Sequence, residues 1–193
     1  MNVAGMLDTM SGRDTRWKSR PAHTGAPRFL LPWLVDCGSL TARLQARCSR
    51  FEVSVAAELL QVPTEDERRL VGLRRARLAW VREVLLSGDG VPLVFAHSIL
   101  APNDLDGVWR MARCIGGRPL GAALFADPAI KRGDMHSARL DPHHPLYRRA
   151  VAVAGALAPP PTVLWARRSL FRRKGRPLLV SELFLPGMAH LPR

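Results

Sequence analysis

Pro177-Leu178-Leu179-Val180-Ser181-Glu182-Leu183-Phe184-Leu185-Pro186 decides how the rest of the chain is read. It is apolar on both faces, as a central strand with neighbours on each side would be. Glu182 interrupts it. Strand side chains alternate, so Glu182 points the same way as Leu178, Val180 and Phe184. A carboxylate on an apolar face is costly unless something pairs with it or uses it.

A second stretch raises the same question with the opposite sign. In Ala76 to Leu86 the even positions (Ala76, Leu78, Trp80, Arg82, Val84, Leu86) form the more apolar face, and Arg82 lies in it. Ser87-Gly88-Asp89-Gly90 is a turn and Val91 to Leu100 returns as a strand, which makes a hairpin. Arg82 and Glu182 are thus opposite charges on apolar faces, far apart in sequence. Three readings stand. They form a buried ion pair that fixes the fold; Arg82 reaches the sheet edge and another acid; or both line a closed pocket for a small anion. In the third, the planar arginine fork grips a carboxylate. The glutamate accepts from a hydroxyl, or acts as a base with a raised pKa.

Working outward, Phe51 to Val55 alternates as a strand, and Ala129 to Leu140 is read as another. Val163 to Phe171 is a strand that Arg172-Arg173-Lys174-Gly175-Arg176 turns into the Glu182 strand. Ser39 is placed to cap a helix whose apolar face is Leu40, Leu44 and Cys48. The free N–H groups at Leu40 and Thr41 suit an anion, although spacing alone favours an ordinary capped amphipathic helix. Asn103 to Arg113 reads as a short helix, and Pro119-Leu120 opens another. Thr64-Glu65-Asp66-Glu67 reads as an acidic loop or turn. Asp141 to Pro161 reads as a Pro/Ala-rich connection anchored by Tyr147 and Val151. Strands running through hairpins with a few short helices give an α+β domain. Its sheet is mostly antiparallel and its helices pack on one face. The domain spans 29–193, and residues 1–28 read as a flexible basic N-terminal tail.

Composition sets bounds. The 193 residues carry 29 Lys+Arg against 16 Asp+Glu, a net +13, nearly all of it arginine. Such a field attracts anions of any kind without choosing among them. No basic run is interleaved with aromatics as a single-strand platform needs, so no nucleic-acid partner is expected. Cys37, Cys48 and Cys114 are odd in number and lack CxxC spacing, which fits a reducing compartment. The histidines form no ligand pattern, and the glycines at 116, 117 and 121 lack the GxxxxGK[ST] of a nucleotide loop. No apolar run nears 18 residues and no signal-peptide core opens the chain, so the cytoplasm is the expected location.

Five blocks in order carry a resemblance. They are Trp33-Leu34 with Gly38-Ser39-Leu40-Thr41-Ala42-Arg43-Leu44; Arg82-Glu83-Val84-Leu85-Leu86 with Asp89-Gly90; Arg118-Pro119-Leu120-Gly121 with Leu124-Phe125; Trp165-Ala166-Arg167-Arg168-Ser169; and Gly175 to Pro186. Together, over roughly residues 30 to 187, they resemble chorismate lyase, which eliminates pyruvate from chorismate to give 4-hydroxybenzoate for ubiquinone biosynthesis. The resemblance implies a six-stranded antiparallel sheet with an internal site beneath helical flaps. It also implies that Arg82 and the backbone amides of Leu40 and Leu120 bind the ring carboxylate, and that Glu182 meets the 4-hydroxyl. Arg167 or Arg168 is the candidate for the pyruvyl carboxylate. No cofactor or metal is implied, and the chain is read as a monomer. This sequence has Leu40 where the family often has methionine, and Ala166 where it often has glycine. The 141–161 connection is longer. The alternative reading is a non-catalytic aromatic-acid sensing domain of the same fold.

Overall fold

The computed structural model describes residues 16–19, 24–155 and 159–191. Its centre is one sheet of six strands: β1 (Phe51–Gln61), β2 (Ala79–Gly88), β3 (Val91–Leu100), β4 (Lys131–Leu140), β5 (Leu164–Arg173) and β6 (Arg176–Phe184). Every pairing is antiparallel and the order is β1-β2-β3-β6-β5-β4. The strand that opened the sequence reading, β6, is central, with β3 on one side and β5 on the other. Two tight hairpins set the register. Asp89 (φ 51°) with Gly90 (φ 81°), and Lys174 (φ 47°) with Gly175 (φ 75°), both adopt the left-handed conformations of a two-residue turn. The second turn fixes Arg173 opposite Arg176, and hence Arg167 opposite Glu182.

Six short helices cover the sheet: α1 (Leu31–Val35), α2 (Leu40–Gln45), α3 (Glu65–Leu70), α4 (Arg110–Arg113), α5 (Leu120–Ala126) and α6 (Pro145–Ala154). They do not share one face, as the sequence suggested. On the front, Leu34, Leu40 and Leu44 pack with Val84, Leu86, Val94 and Phe184. Beside them, Ala112, Leu120 and Leu124 pack with Trp80, Leu100, Phe171 and Leu178. On the back, α6 lays Leu146, Tyr147 and Ala150 on Phe95, Leu164 and Leu183. Nearby, Val71 at the end of α3 packs with Val81, Ile99 and Leu179. The continuous apolar runs of β2, β3 and β6 follow from this, since a sheet covered on both faces has no polar side to alternate with.

Several boundaries differ from the sequence reading, each for a local reason. β1 continues to Gln61 because a one-residue bulge between Val55 and Ala57 breaks the alternation without ending the pairing. Thr64 to Glu67 is a helix start. Thr64 accepts from the Glu67 N–H, and Glu67 accepts from the Thr64 N–H, a reciprocal cap readable in the sequence as Thr-x-x-Glu. The 141–161 connection contains α6, with Pro145 in its first turn and His144 capping it. Of 103–113 only the last turn is α-helical, after a 3-10 turn at Pro102–Asp104. Part of the segment read as a flexible tail is seated. Trp17 is buried, and Lys18 exchanges backbone hydrogen bonds with Ser137 at the sheet edge. Residues 1–15 and 20–23 lie outside the described residues.

Candidate active site

Cross-strand pairing decides which side chains can meet. On the front face the ladder runs Val84, Ala96, Glu182, Arg167 and Ser137 across five strands. The adjacent rung runs Arg82, Ser98, Val180 and Ser169. Arg82 and Glu182 therefore share a face, separated by β3 and offset by one rung. Two strand spacings and one pleat repeat put their Cα atoms roughly 12 Å apart. Between them β3 offers only Ala96 and Ser98. These short side chains leave room for a cavity of about 40 Å³ above the sheet.

Leu40, Thr41, Leu120, Gly121, Leu124 and Phe125 form the roof, so all four residues picked from the sequence (Leu40, Arg82, Leu120, Glu182) line one space. Leu40 is the first residue of α2 and Leu120 the first of α5. Their N–H groups have no intrahelical acceptor. Ser39 caps α2 through the Ala42 N–H, as expected. The two flaps meet at Gly121, where a Cβ would lie 3.4 Å from Thr41 Oγ1. The first flap is stitched from outside. Arg43 stacks 4.0 Å over Trp33 and donates to Pro32 O and Asp36 Oδ2. An apolar cavity that takes up benzene measures roughly 150 Å³. The flaps or the arginine side chains must shift to admit a ring.

The charges in the cavity are unbalanced. Among the described residues Arg82, Arg132 and Arg167 line it against Glu182, a surplus of two positive charges in the lining that Glu58 reduces from outside it. Arg82 is 1% exposed and donates through Nη2 to Gly116 O (2.7 Å) and Arg118 O (3.1 Å). Its Nε has no hydrogen-bond partner among the described residues, and Glu58 Oε2 stands 3.9 Å away. Burial pushes its pKa down and Glu58 partly offsets this; a guanidinium stays charged regardless. Arg167 is anchored on one side: Nε meets Glu182 Oε2 at 2.5 Å, and Nη1 donates to Trp33 O (2.7 Å) and Asp36 O (2.8 Å). It thus ties Glu182 to the segment that leads into the first flap.

Of the pair offered for the pyruvyl carboxylate, only Arg167 reaches the cavity. Arg168 points to the back face, pairs with Asp66, and lies under the Trp17 ring at 4.2 Å. Adjacent strand residues take opposite faces, so the two were never equivalent. The Arg82–Glu182 ion pair considered from the sequence does not form; each has other partners. Arg132 was missed. It sits in a loosely read strand, and a bulge between Arg132 and Met135 hides its face from a count by twos.

Fold and site together define an α+β domain that encloses an arginine-rich cavity between its sheet and two helical flaps. Comparison with known proteins agrees. The family model described as chorismate lyase matches residues 13–190. A protein of Aromatoleum aromaticum described as a probable chorismate pyruvate-lyase is 55% identical over 91% of this chain and 95% of its own. One of Azoarcus sp. with the same description is 52% identical over 91% and 93%. The chain belongs to the chorismate lyase family.

Among solved structures, PhnF of Mycobacterium smegmatis superposes with a TM-score of 0.57 at 15% identity, over 80% of this chain and 66% of that one. The PhnF effector domain alone gives 0.52 at 18% identity, over 77% and 89%. At such identities the likeness concerns the fold. Among the described residues, no group of three or more His, Cys, Asp or Glu could hold a metal ion. No described helix is long and apolar enough to cross a membrane.

Proposed function

We propose that this protein is a chorismate lyase that eliminates pyruvate from chorismate and releases 4-hydroxybenzoate, the aromatic acid used for ubiquinone. The observation that carries the reading is the charge surplus in the cavity. Chorismate is a dicarboxylate, and three guanidiniums line the cavity against one carboxylate, with Glu58 near Arg82 outside the lining. Arg82 takes the ring carboxylate, with the N–H groups of Leu40 and Leu120 above it. Glu182, across Ala96 from Val84, meets the 4-hydroxyl end.

The chemistry asks for little beyond positioning. The C3–O bond breaks, the proton on C4 is lost, and the ring becomes aromatic, which supplies most of the driving force. Arg82 and Glu182 hold the ring at its two ends under the flaps, so the reacting bonds are aligned and water is excluded. Glu182 accepts a hydrogen bond from the hydroxyl or takes the C4 proton.

The test is to mix purified protein with chorismate and quantify 4-hydroxybenzoate and pyruvate, with Arg82→Ala alongside. Equal amounts of both products, lost in the variant, are expected. Tight binding of 4-hydroxybenzoate without turnover would instead make the cavity a sensing site and overturn the lyase reading.

A further inference from the structure

Three arginines line the cavity, and their partners separate them. Arg167 is committed through Nε to Glu182 and through Nη1 to the carbonyls of Trp33 and Asp36. Arg82 stands at the far rung, where the ring carboxylate is placed. Arg132 has no acidic partner among the described residues. Its Nε donates to Ser169 Oγ (3.0 Å), and its Nη1 to Cys37 O (2.7 Å) and Gly38 O (3.3 Å). The remaining nitrogen, Nη2, faces only the thioether of Met135 at 3.7 Å. Thioether sulfur is a weak acceptor, so this edge is held in place by poor company.

The surroundings make Arg132 a receptor for anions. Its guanidinium lies 5.5 Å from the Phe125 ring and 5.3 Å from the Phe171 ring. Those rings lie beside the group and leave its in-plane N–H edge for an acceptor. Phe125 belongs to the second flap, while Cys37 and Gly38 belong to the approach to the first. Arg132 therefore touches both flaps and the sheet. The bulge in β4 is what puts it there. Counting back by twos from Met135, which faces the front beside Ser169, would turn Arg132 to the back. The extra residue between Arg132 and Met135 returns it to the front, opposite Phe171. Bulges often re-aim a side chain beside a site.

We propose that Arg132 binds the second carboxylate of the substrate, the one on the three-carbon enol ether that departs. This rests on the reading of the cavity as a chorismate site. When the C3–O bond breaks, its electron pair goes to the ether oxygen, and the C4 proton leaves the ring. The departing fragment then carries its carboxylate and a developing enolate oxygen, and the proton is regained at its methylene carbon to give pyruvate. A guanidinium on that carboxylate stabilises the growing charge where it appears. The aromatic product has no second carboxylate, so Arg132 distinguishes substrate from product while Arg82 does not.

The test uses two matched ligands, 4-hydroxybenzoate bearing at C3 either a methyl ether or a carboxymethyl ether. In the wild type the carboxymethyl ether should bind at least tenfold more tightly. In Arg132→Gln this preference should vanish, with the Kd of the methyl ether changed by less than threefold. Turnover of chorismate should fall at least a hundredfold in kcat/KM, and Arg132→Lys should recover part of both losses. No preference in the wild type, an unchanged preference in Arg132→Gln, or equal weakening of both ligands would overturn the proposal. If the wild type makes no product from chorismate, the lyase reading fails, yet the ligand pair still reports on Arg132.

Discussion

The strand that floors the cavity is held from behind by a buried histidine, and its titration can be worked out. Ala96 and Ser98 face the cavity; His97, between them, faces the back and is 1% exposed. Its Nδ1 lies 3.0 Å from Glu83 Oε1, and Nε2 forms an ion pair with Glu67 Oε1 at 3.2 Å. Arg149 also meets Glu83. Burial alone would push the His97 pKa down. The two carboxylates outweigh it and raise the pKa from 6.5 to about 9. His97 is thus a cation in the folded state across neutral pH. Below about pH 6.5 both states bind the proton and the stabilisation is complete. Between 6.5 and 9 the unfolded chain gives up its proton first, so stability falls as pH rises. The gap corresponds to about 3 kcal/mol.

Urea unfolding at pH 6 and pH 9.5, at constant ionic strength, should show this loss. His97→Gln should be nearly flat over the same interval. At pH 6 it should already be less stable by ~3–5 kcal/mol, since Glu67 and Glu83 lose their buried cation. Equal stability of the wild type at the two pH values would refute the reasoning, as would a slope that survives in His97→Gln.

Other expectations follow from the same geometry. Glu182→Gln should lower kcat by about 10²–10⁴-fold while changing the Kd of 4-hydroxybenzoate far less; unchanged turnover would remove Glu182 from the chemistry. Arg82→Ala should weaken 4-hydroxybenzoate binding by ~2–5 kcal/mol, and calorimetry showing wild-type affinity would displace Arg82 from the carboxylate. Arg168→Gln breaks the pair with Asp66 on the back face. It should lower Tm yet leave kcat/KM within about threefold, and a large kinetic loss in a folded variant would contradict the face assignment. Gly121→Val adds a branched side chain where a Cβ alone would lie 3.4 Å from Thr41 Oγ1. Flap closure should suffer, so kcat/KM should drop more than stability does, and a fully active variant would show that the flaps need not meet there.

Much of the site was legible because alternation is a strong rule on covered strands. Glu182 and Arg82 stood out as charges in apolar rows, and the pairing places both on the front. The Lys174-Gly175 turn also sets the register of the two strands it joins. A two-residue turn pairs Arg173 with Arg176, and counting back pairs Arg167 with Glu182, which separates Arg167 from Arg168 on the sequence alone. What stayed hidden has two causes. A helix of six residues carries too few for a periodic signal, so α3 reads as a loop despite its cap, and the ten-residue α6 is masked by the Pro/Ala-rich composition around it. Bulges break the count by twos, which shortened β1 and concealed Arg132. The placement of helices on both faces is a tertiary outcome that β6 already hinted at, since both of its faces are apolar.

The bulge in β4 also bears on how this segment tolerates changes in length. Three steps of chain from Arg132 to Met135 do the work of two on β5. Removing Gly133 would straighten the strand and leave Arg132 on the same face, because two steps restore it as surely as three with a bulge. One residue here is spare. A deletion between Met135 and Leu140 has no such slack and would turn over everything on one side of it. Relatives one residue shorter at the bulge can therefore keep the arginine in register, and alignments should open their gap there rather than move the arginine.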